Sequence, residues 1–326
     1  MARILTGIQS TGTPHLGNVL GAIRPAIAMA NDPANESFLF IADLHALTQI
    51  KEPSLLRENT CAVAAAWLAC GLDTRRTVLY RQSDVAGVAE LTWYLSCFFP
   101  YSRLALAHSF KDKADRLDDV NAGLFTYPML MAADILLYDV DIVPVGKDQK
   151  QHLEFTRDVA ERFNHRMGET FVLPDARISE EVMVVPGTDG AKMSKSRGNL
   201  LRIFAPEKEL AKEVMGIVTD STPMEAPKDP GGNTVYELFK LVAPADAAVD
   251  MAARFRAGGY GYGHAKKELL AALLDGFRAE RDTFARLMGD RAAIEAELRK
   301  GADTARVVAG GVLARVRERL GFGPTA

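Results

Sequence analysis

The sequence predicts an α/β chain: a parallel sheet with helices on both sides over residues 1–200, then an all-helical domain over residues 201–326. Short apolar runs alternate with helical patterns through the first half, and parallel strands need the long crossovers that such helices supply. After about residue 207 the β-type runs vanish and helical spacing dominates.

Each element has its own signal. Residues 3–8 read as a short buried strand that ends in "GIQSTGTPHLGN" (7–18), a turn rich in glycine, serine and threonine. Leu16, Leu20, Ile23 and Ile27 then recur at helical spacing over 16–29, a helix that Pro25 should kink. "ESFLFIADLH" (36–45) is a near-continuous apolar run, as expected of a strand covered on both faces. Pro53 opens a helix that runs through "CAVAAAWLAC" and stops at Gly71. A strand over 76–83 and a helix over 90–98 follow. "GLFTYPMLMAADILLY" (123–138) reads as a buried helix and 141–146 as another strand; Leu153, Thr156, Ala160 and Phe163 mark one face of the next helix. In the second half Leu269, Leu273, Phe277, Phe284 and Met288 keep helical spacing. The Pro/Gly-rich stretch 222–232 reads as a long surface loop, and the tail 302–320 carries Arg306, Arg315, Arg317 and Arg319.

Composition narrows the function classes. Lys and Arg number 39 against 42 Asp and Glu, a formal charge of −3, so no overall cationic field attracts nucleic acid and any RNA contact must be local. The three cysteines, Cys61, Cys70 and Cys97, have no metal-ligand spacing and read as buried free thiols in a reducing, cytoplasmic setting. The first residues lack the apolar run of a signal peptide, and no stretch reaches the length of a membrane span.

Two loops carry the chemistry. A strand that passes through a Gly/Ser/Thr turn into a helix presents unpaired N–H groups to a phosphate, although Gly12 and Gly17 equally suit turn geometry and close packing. "GTDGAKMSKSRGN" (187–199) places Lys192, Lys195 and Arg197 within six residues. Such a loop is either a solvated segment or a set of cations that closes over a polyphosphate.

Together these loops resemble the class I aminoacyl-tRNA synthetases. "KMSKS" (192–196) is an unbroken match to their second signature; in "PHLGN", His15, Gly17 and Asn18 hold the first, third and fourth places of their first. "YPMLMAADILLYDVDIVPVGKDQKQHLEFTRDVAERFN" (127–164) is similar at nearly every position to the tryptophan-specific members, as are "GIQSTG", "ADLHALT" and "FKDK". The resemblance implies a Rossmann-like catalytic domain over 1–200 that includes the second loop, and an anticodon-binding helical domain over 201–326 to which the tail arginines contribute unless they form only an exposed basic face. It also implies ATP with Mg²⁺ held mainly by phosphates and water, tryptophan and its tRNA as partners, a homodimer and a cytoplasmic location. No structural metal is expected: no cysteine follows Cys97 to hold the iron–sulfur cluster that some relatives carry.

By the same resemblance Lys192, Lys195 and Lys113 act on the pyrophosphate end of ATP, with Met193 on the same loop and Ser194 or Ser196 as supporting hydrogen bonders. His15, Gly17, Asn18, Gln9 and Gly146 lie against the nucleotide, and Asp148 reads the ribose or caps the following helix. Indole can only donate, so its reader must accept; Asp134 is the candidate, with Tyr127 and Met131 seven and three residues before it on the same helix face. A carboxylate inside so apolar a run needs a partner. Met131 favours tryptophan, since archaeal and eukaryotic tyrosine-specific relatives carry Gln there. Gln9, Gln149 and Tyr127 are expected to hold the ammonium and carboxylate of the amino acid, and His45 either touches substrate or satisfies a turn. Lys147 departs from the Glu of many relatives, Ser109 from their Gln, and Leu5 and Ala42 from larger pocket residues.

Overall fold

The computed structural model describes residues 1–107, 120–146, 149–178 and 183–323. Lys111, Lys113, Ser109, Lys147 and Asp148 lie outside them. Among the described residues five parallel strands form one sheet in the order β3-β2-β1-β4-β5, where β1 is Ala2–Gln9, β2 Asn35–Ala42, β3 Thr77–Arg81, β4 Ile142–Val145 and β5 Asp175–Ile178. β1 and β2 pair in full register from Ala2 opposite Asn35 to Gln9 opposite Ala42. The chain steps outward through β1, β2 and β3, then returns to place β4 on the other side of β1. The carboxyl ends of β1 and β4 therefore flank the switch point, where open α/β sheets leave a crevice.

Helices cover both faces. The first, α1 (16–30), is interrupted by a π turn at Val19–Ile23, and Pro25 follows directly, so its missing N–H falls where the hydrogen-bond ladder changes register. Two expected strands end early. β2 stops at Ala42 and gives way to a short helix, α2 (Asp43–Ala46); the Asp43 carboxylate accepts from Leu44 N, and the Gln82 side-chain oxygen accepts from Leu44 N and His45 N. Polar side chains thus take over main-chain donors that the sheet no longer pairs. β3 likewise ends at Arg81 in a 3₁₀ turn, Gln82–Asp84. α3 (Pro53–Ala69), α4 (Gly87–Phe98), α5 (Ala122–Leu136) and α6 (Lys150–Met167) stand where helices are expected.

From residue 207 the described chain is helical: α7 (Glu207–Met215), α8 (Thr234–Val242), α9 (Ala245–Ala257), α10 (Tyr262–Gly276), α11 (Arg278–Gly289) and α12 (Arg291–Arg319). These helices share cores with the sheet. Leu269, Phe277 and Phe284 pack in one cluster with Ile23, Trp67 and Leu79. Val312 and Val316 join Phe38, Tyr80 and Leu136 in the other. α12 lies along β3 and closes that edge of the sheet. Its approach requires Gly301, where any Cβ would overlap the Leu79 carbonyl.

Three of the tail arginines are occupied in this docking. Arg306 donates to the Asp84 carbonyl and Asp303, Arg315 to the Thr170 carbonyl and Asp139, and Arg317 to Glu90. The loop 222–232 is coil, as expected, and folds around Lys228, whose buried ammonium donates to the carbonyls of Pro223, Met224 and Ala226. Of the cysteines only Cys61 is buried; Cys70 is half-buried and Cys97 exposed, because α4 turns Cys97 away from the core. No helix among the described residues is long and apolar enough to cross a membrane.

Candidate active site

Two cavities open at the switch point, of about 470 Å³ and about 500 Å³, and Gln9 at the end of β1 lines both.

The first is walled by apolar residues of the sheet, among them Leu5, Phe40, Ala42 and Val143. Gly7 is required beneath it, since a Cβ there would collide with the Phe40 ring. α5 supplies Tyr127, Met131 and Asp134 on one face, all lining the cavity. Asp134 is 1% exposed and has partners: His45 Nε2 lies 2.9 Å from Oδ2, and the Gln82 amide nitrogen donates to both oxygens at 2.8 and 2.9 Å. Burial pushes the Asp134 carboxyl above its ordinary range, while hydrogen bonds from His45 and Gln82 pull it back. His45 is thus placed on α2 rather than at a strand end, and it faces both Asp134 and the cavity. The Tyr127 hydroxyl lies 2.5 Å from His152 Nε2. Gln149, at the start of α6, also lines this cavity, and so does Gly146, which the sequence reading assigned to the nucleotide.

The second cavity lies between the first loop and the segment 183–196. His15 caps α1: its Nδ1 accepts from Asn18 N at 3.3 Å, while Asn18 Oδ1 accepts from His15 N at 3.2 Å. With Nδ1 an acceptor, the proton sits on Nε2. Burial, with Lys195 nearby, lowers the His15 pKa to about 4, so the ring is neutral at pH 7. Gly17 donates to the Met193 sulfur at 3.4 Å, and a Cβ there would crowd the His15 ring and Met193. The Lys195 ammonium reaches the first loop, donating to the Gly12 carbonyl at 3.1 Å and to Thr11 Oγ1 at 3.4 Å. Burial lowers its pKa. Lys192 and Ser194 line the same cavity.

Sequence reasoning missed two residues that hold these side chains in place. Gln82 directs the Asp134 carboxylate. Asn199 braces the second loop: its oxygen accepts from Ser194 N at 2.8 Å, and its nitrogen donates to Asp189 at 2.6 Å and to the Lys192 carbonyl at 3.1 Å. The available signals were an amide directly after an apolar strand, and an asparagine between a glycine-rich loop and an apolar pair. Among the described residues no three His, Cys, Asp or Glu side chains form a metal site.

The arrangement joins an apolar slot with a buried acceptor to a cavity rimmed by cations, hydroxyls and a helix start. Gln9 lines both, so groups placed in the two cavities would meet beside it, and a transfer between them would need positioning and charge stabilisation rather than a covalent enzyme intermediate.

Residues 1–277 match the family of tRNA synthetases class I (W and Y). The tryptophan–tRNA ligase of Rhodopirellula baltica is 49% identical over 320 residues, covering 98% of this chain and 99% of that protein. That of Fusobacterium nucleatum is 44% identical over 325 residues, covering 99% and 98%. The structure of tryptophanyl-tRNA synthetase from Campylobacter jejuni complexed with ADP and tryptophan superposes with a TM-score of 0.94 at 43% identity, covering 98% of this chain and 99% of that one. The tyrosyl-tRNA synthetase of Archaeoglobus fulgidus shares the fold alone, with a TM-score of 0.63 at 18% identity over 87% of this chain and 90% of that one.

Proposed function

The chain belongs to the class I tRNA synthetases of the tryptophan and tyrosine family, and we infer that its two joined cavities divide tryptophan and ATP between them. Its activity is tryptophan–tRNA ligation, as in relatives matched over nearly their whole length. The tryptophan carboxylate attacks the α-phosphate of ATP, pyrophosphate leaves, and the tryptophanyl group then passes to the 2′-hydroxyl of the terminal adenosine of tRNA.

In this reading the indole lies in the first cavity and donates its N–H to Asp134, whose Oδ1 accepts, among the described residues, from Gln82 and keeps a further lone pair. Tyr127, Gln149 and Gln9 orient the ammonium and carboxylate, and Met131 packs on the ring. The His15 Nε2–H and Asn18 lie against the nucleotide, with Met193 and Gly17 beside it. Lys192 and Lys195 meet the charge that develops on the departing pyrophosphate, Lys195 exchanging the Gly12 carbonyl for phosphate oxygens, and Ser194 adds a hydroxyl. Lys113 as a third cation and Asp148 as ribose reader complete the set. Among the described residues the lining of the second cavity offers cations, hydroxyls and amides, and a Mg²⁺ ion would enter on the ATP phosphates and screen their charge. The helical region 201–326 reads the anticodon, and the enzyme works as a cytoplasmic homodimer, on family grounds.

The observation that carries this assignment is a carboxylate, 1% exposed, at the wall of an apolar slot. Replacing Asp134 by Ala should lower kcat/KM for tryptophan in ATP–pyrophosphate exchange by roughly a hundredfold or more while the KM for ATP changes little. Equal losses for both substrates would remove Asp134 from the role of reader.

A further inference from the structure

We propose that Gln82 is a positioning residue for indole selection: its side-chain amide is locked in one orientation and holds Asp134 as an acceptor-only carboxylate, which biases the slot toward ring systems that donate. The inference rests on the assignment of Asp134 as the indole reader.

The orientation follows from the hydrogen bonds. Gln82 is wholly buried in the 3₁₀ turn after β3. Its Oε1 accepts from Leu44 N at 3.1 Å and from His45 N at 3.4 Å, both on α2. A flipped amide would set N–H against N–H there, so the NH₂ must point the other way. It points at Asp134 and contacts both carboxylate oxygens. His45 Nε2 lies 2.9 Å from Oδ2 on the same carboxylate. A protonated Asp134 would confront the Gln82 NH₂ with a hydroxyl at one of these positions, so the locked amide favours the ionised form. The other titratable groups acting on this carboxylate are Asp43 on α2, Tyr80 on β3 and Tyr138 just beyond α5; Asp43 opposes its charge, and the two phenols stay neutral because burial raises them. Within this set Gln82 is the neutral side chain that donates to both oxygens, and its own acceptor is held by main chain that belongs to the same cavity wall.

The consequence is selection by hydrogen-bond polarity. An Asp134 oriented by Gln82 to accept rewards a ring N–H and is left short of a donor by a ring of the same shape without one. 3-Benzothienyl-L-alanine is such a ring, with sulfur in place of the indole N–H.

The test is ATP–pyrophosphate exchange with tryptophan and with 3-benzothienyl-L-alanine as a function of pH. The variant Gln82→Glu keeps an oxygen for Leu44 N and His45 N but replaces the donor facing Asp134 by a second carboxyl, so the two share a proton. The expected result is a discrimination ratio lowered by roughly tenfold or more, carried by KM for tryptophan with kcat largely kept. The acid limb of kcat/KM for tryptophan should also move up by about one pH unit or more, while that for the analogue stays in place. Gln82→Met provides a neutral comparison with the same loss of discrimination, and the KM for ATP reports whether either variant keeps the neighbouring cavity. Wild-type discrimination and an unmoved acid limb in both variants would overturn the proposal. If Asp134→Ala also leaves discrimination intact, the underlying assignment of Asp134 fails as well; if Asp134→Ala abolishes it while the Gln82 variants do not, only the role of Gln82 fails.

Discussion

At His15 one imidazole both caps a helix and faces a nucleotide-sized cavity. Its Nδ1 must stay unprotonated to accept from Asn18 N, and burial with Lys195 nearby lowers its pKa from 6.5 to about 4. Below pH 6.5 the unfolded chain takes up a proton that the folded chain refuses, so this contribution to stability is complete above pH 6.5 and declines as pH falls toward about 4. The loss should be on the order of 2 kcal/mol, less than the full pKa difference implies because the ring borders a cavity open to solvent. His15→Asn keeps a capping acceptor without a titrating group, so urea unfolding between pH 7 and pH 4 should show a shallower decline for the variant; identical slopes would contradict this. Legibility at this scale depended on how unusual a residue is in its surroundings. Asp134 was visible because a carboxylate in an apolar helix demands a reason. Gln82 was not, because an amide after a strand reads as an ordinary turn, and its partners come from α2, some forty positions earlier, and from Asp134, 52 positions later.

Elements were legible where their periodicity is long. The helices at Pro53–Ala69 and Gly87–Phe98 appear as their patterns suggest. The strand ends at Ala42 and Arg81 were read too far because the side chains that turn the main chain out of the sheet, Asp43 and Gln82, find their partners only through tertiary contact. The placement of α12 along β3 had no local signal beyond a glycine at 301. That glycine gives a paired prediction. Gly301→Ala forces a methyl into the Leu79 carbonyl and should destabilise the protein by about 3 kcal/mol or more. Gly310→Ala, on the same helix with nothing near its added methyl, should stabilise by up to about 1 kcal/mol. Thermal or urea unfolding reads both; changes of the same sign would mean that α12 does not approach β3 as described.

At the scale of the whole molecule, the fold joins two cavities at one switch point. The order of the strands brings the end of β1 beside the end of β4, and residue 9 falls between the two binding spaces. The tail arginines show the reach of this organisation: a basic helix face that suggests RNA in the sequence is largely committed to Asp139, Glu90, Asp303 and the carbonyls of Asp84 and Thr170, so α12 is fastened to the sheet-bearing half. The coupling of an apolar slot that reads a ring N–H to an ATP cavity is tested by ATP–pyrophosphate exchange with each standard amino acid offered separately. It predicts exchange with tryptophan and none above background with tyrosine, phenylalanine or the others. Comparable exchange with tyrosine would leave the fold intact and contradict the reading of Met131 and Asp134, and folded protein silent with every amino acid would contradict the coupling of the two cavities itself.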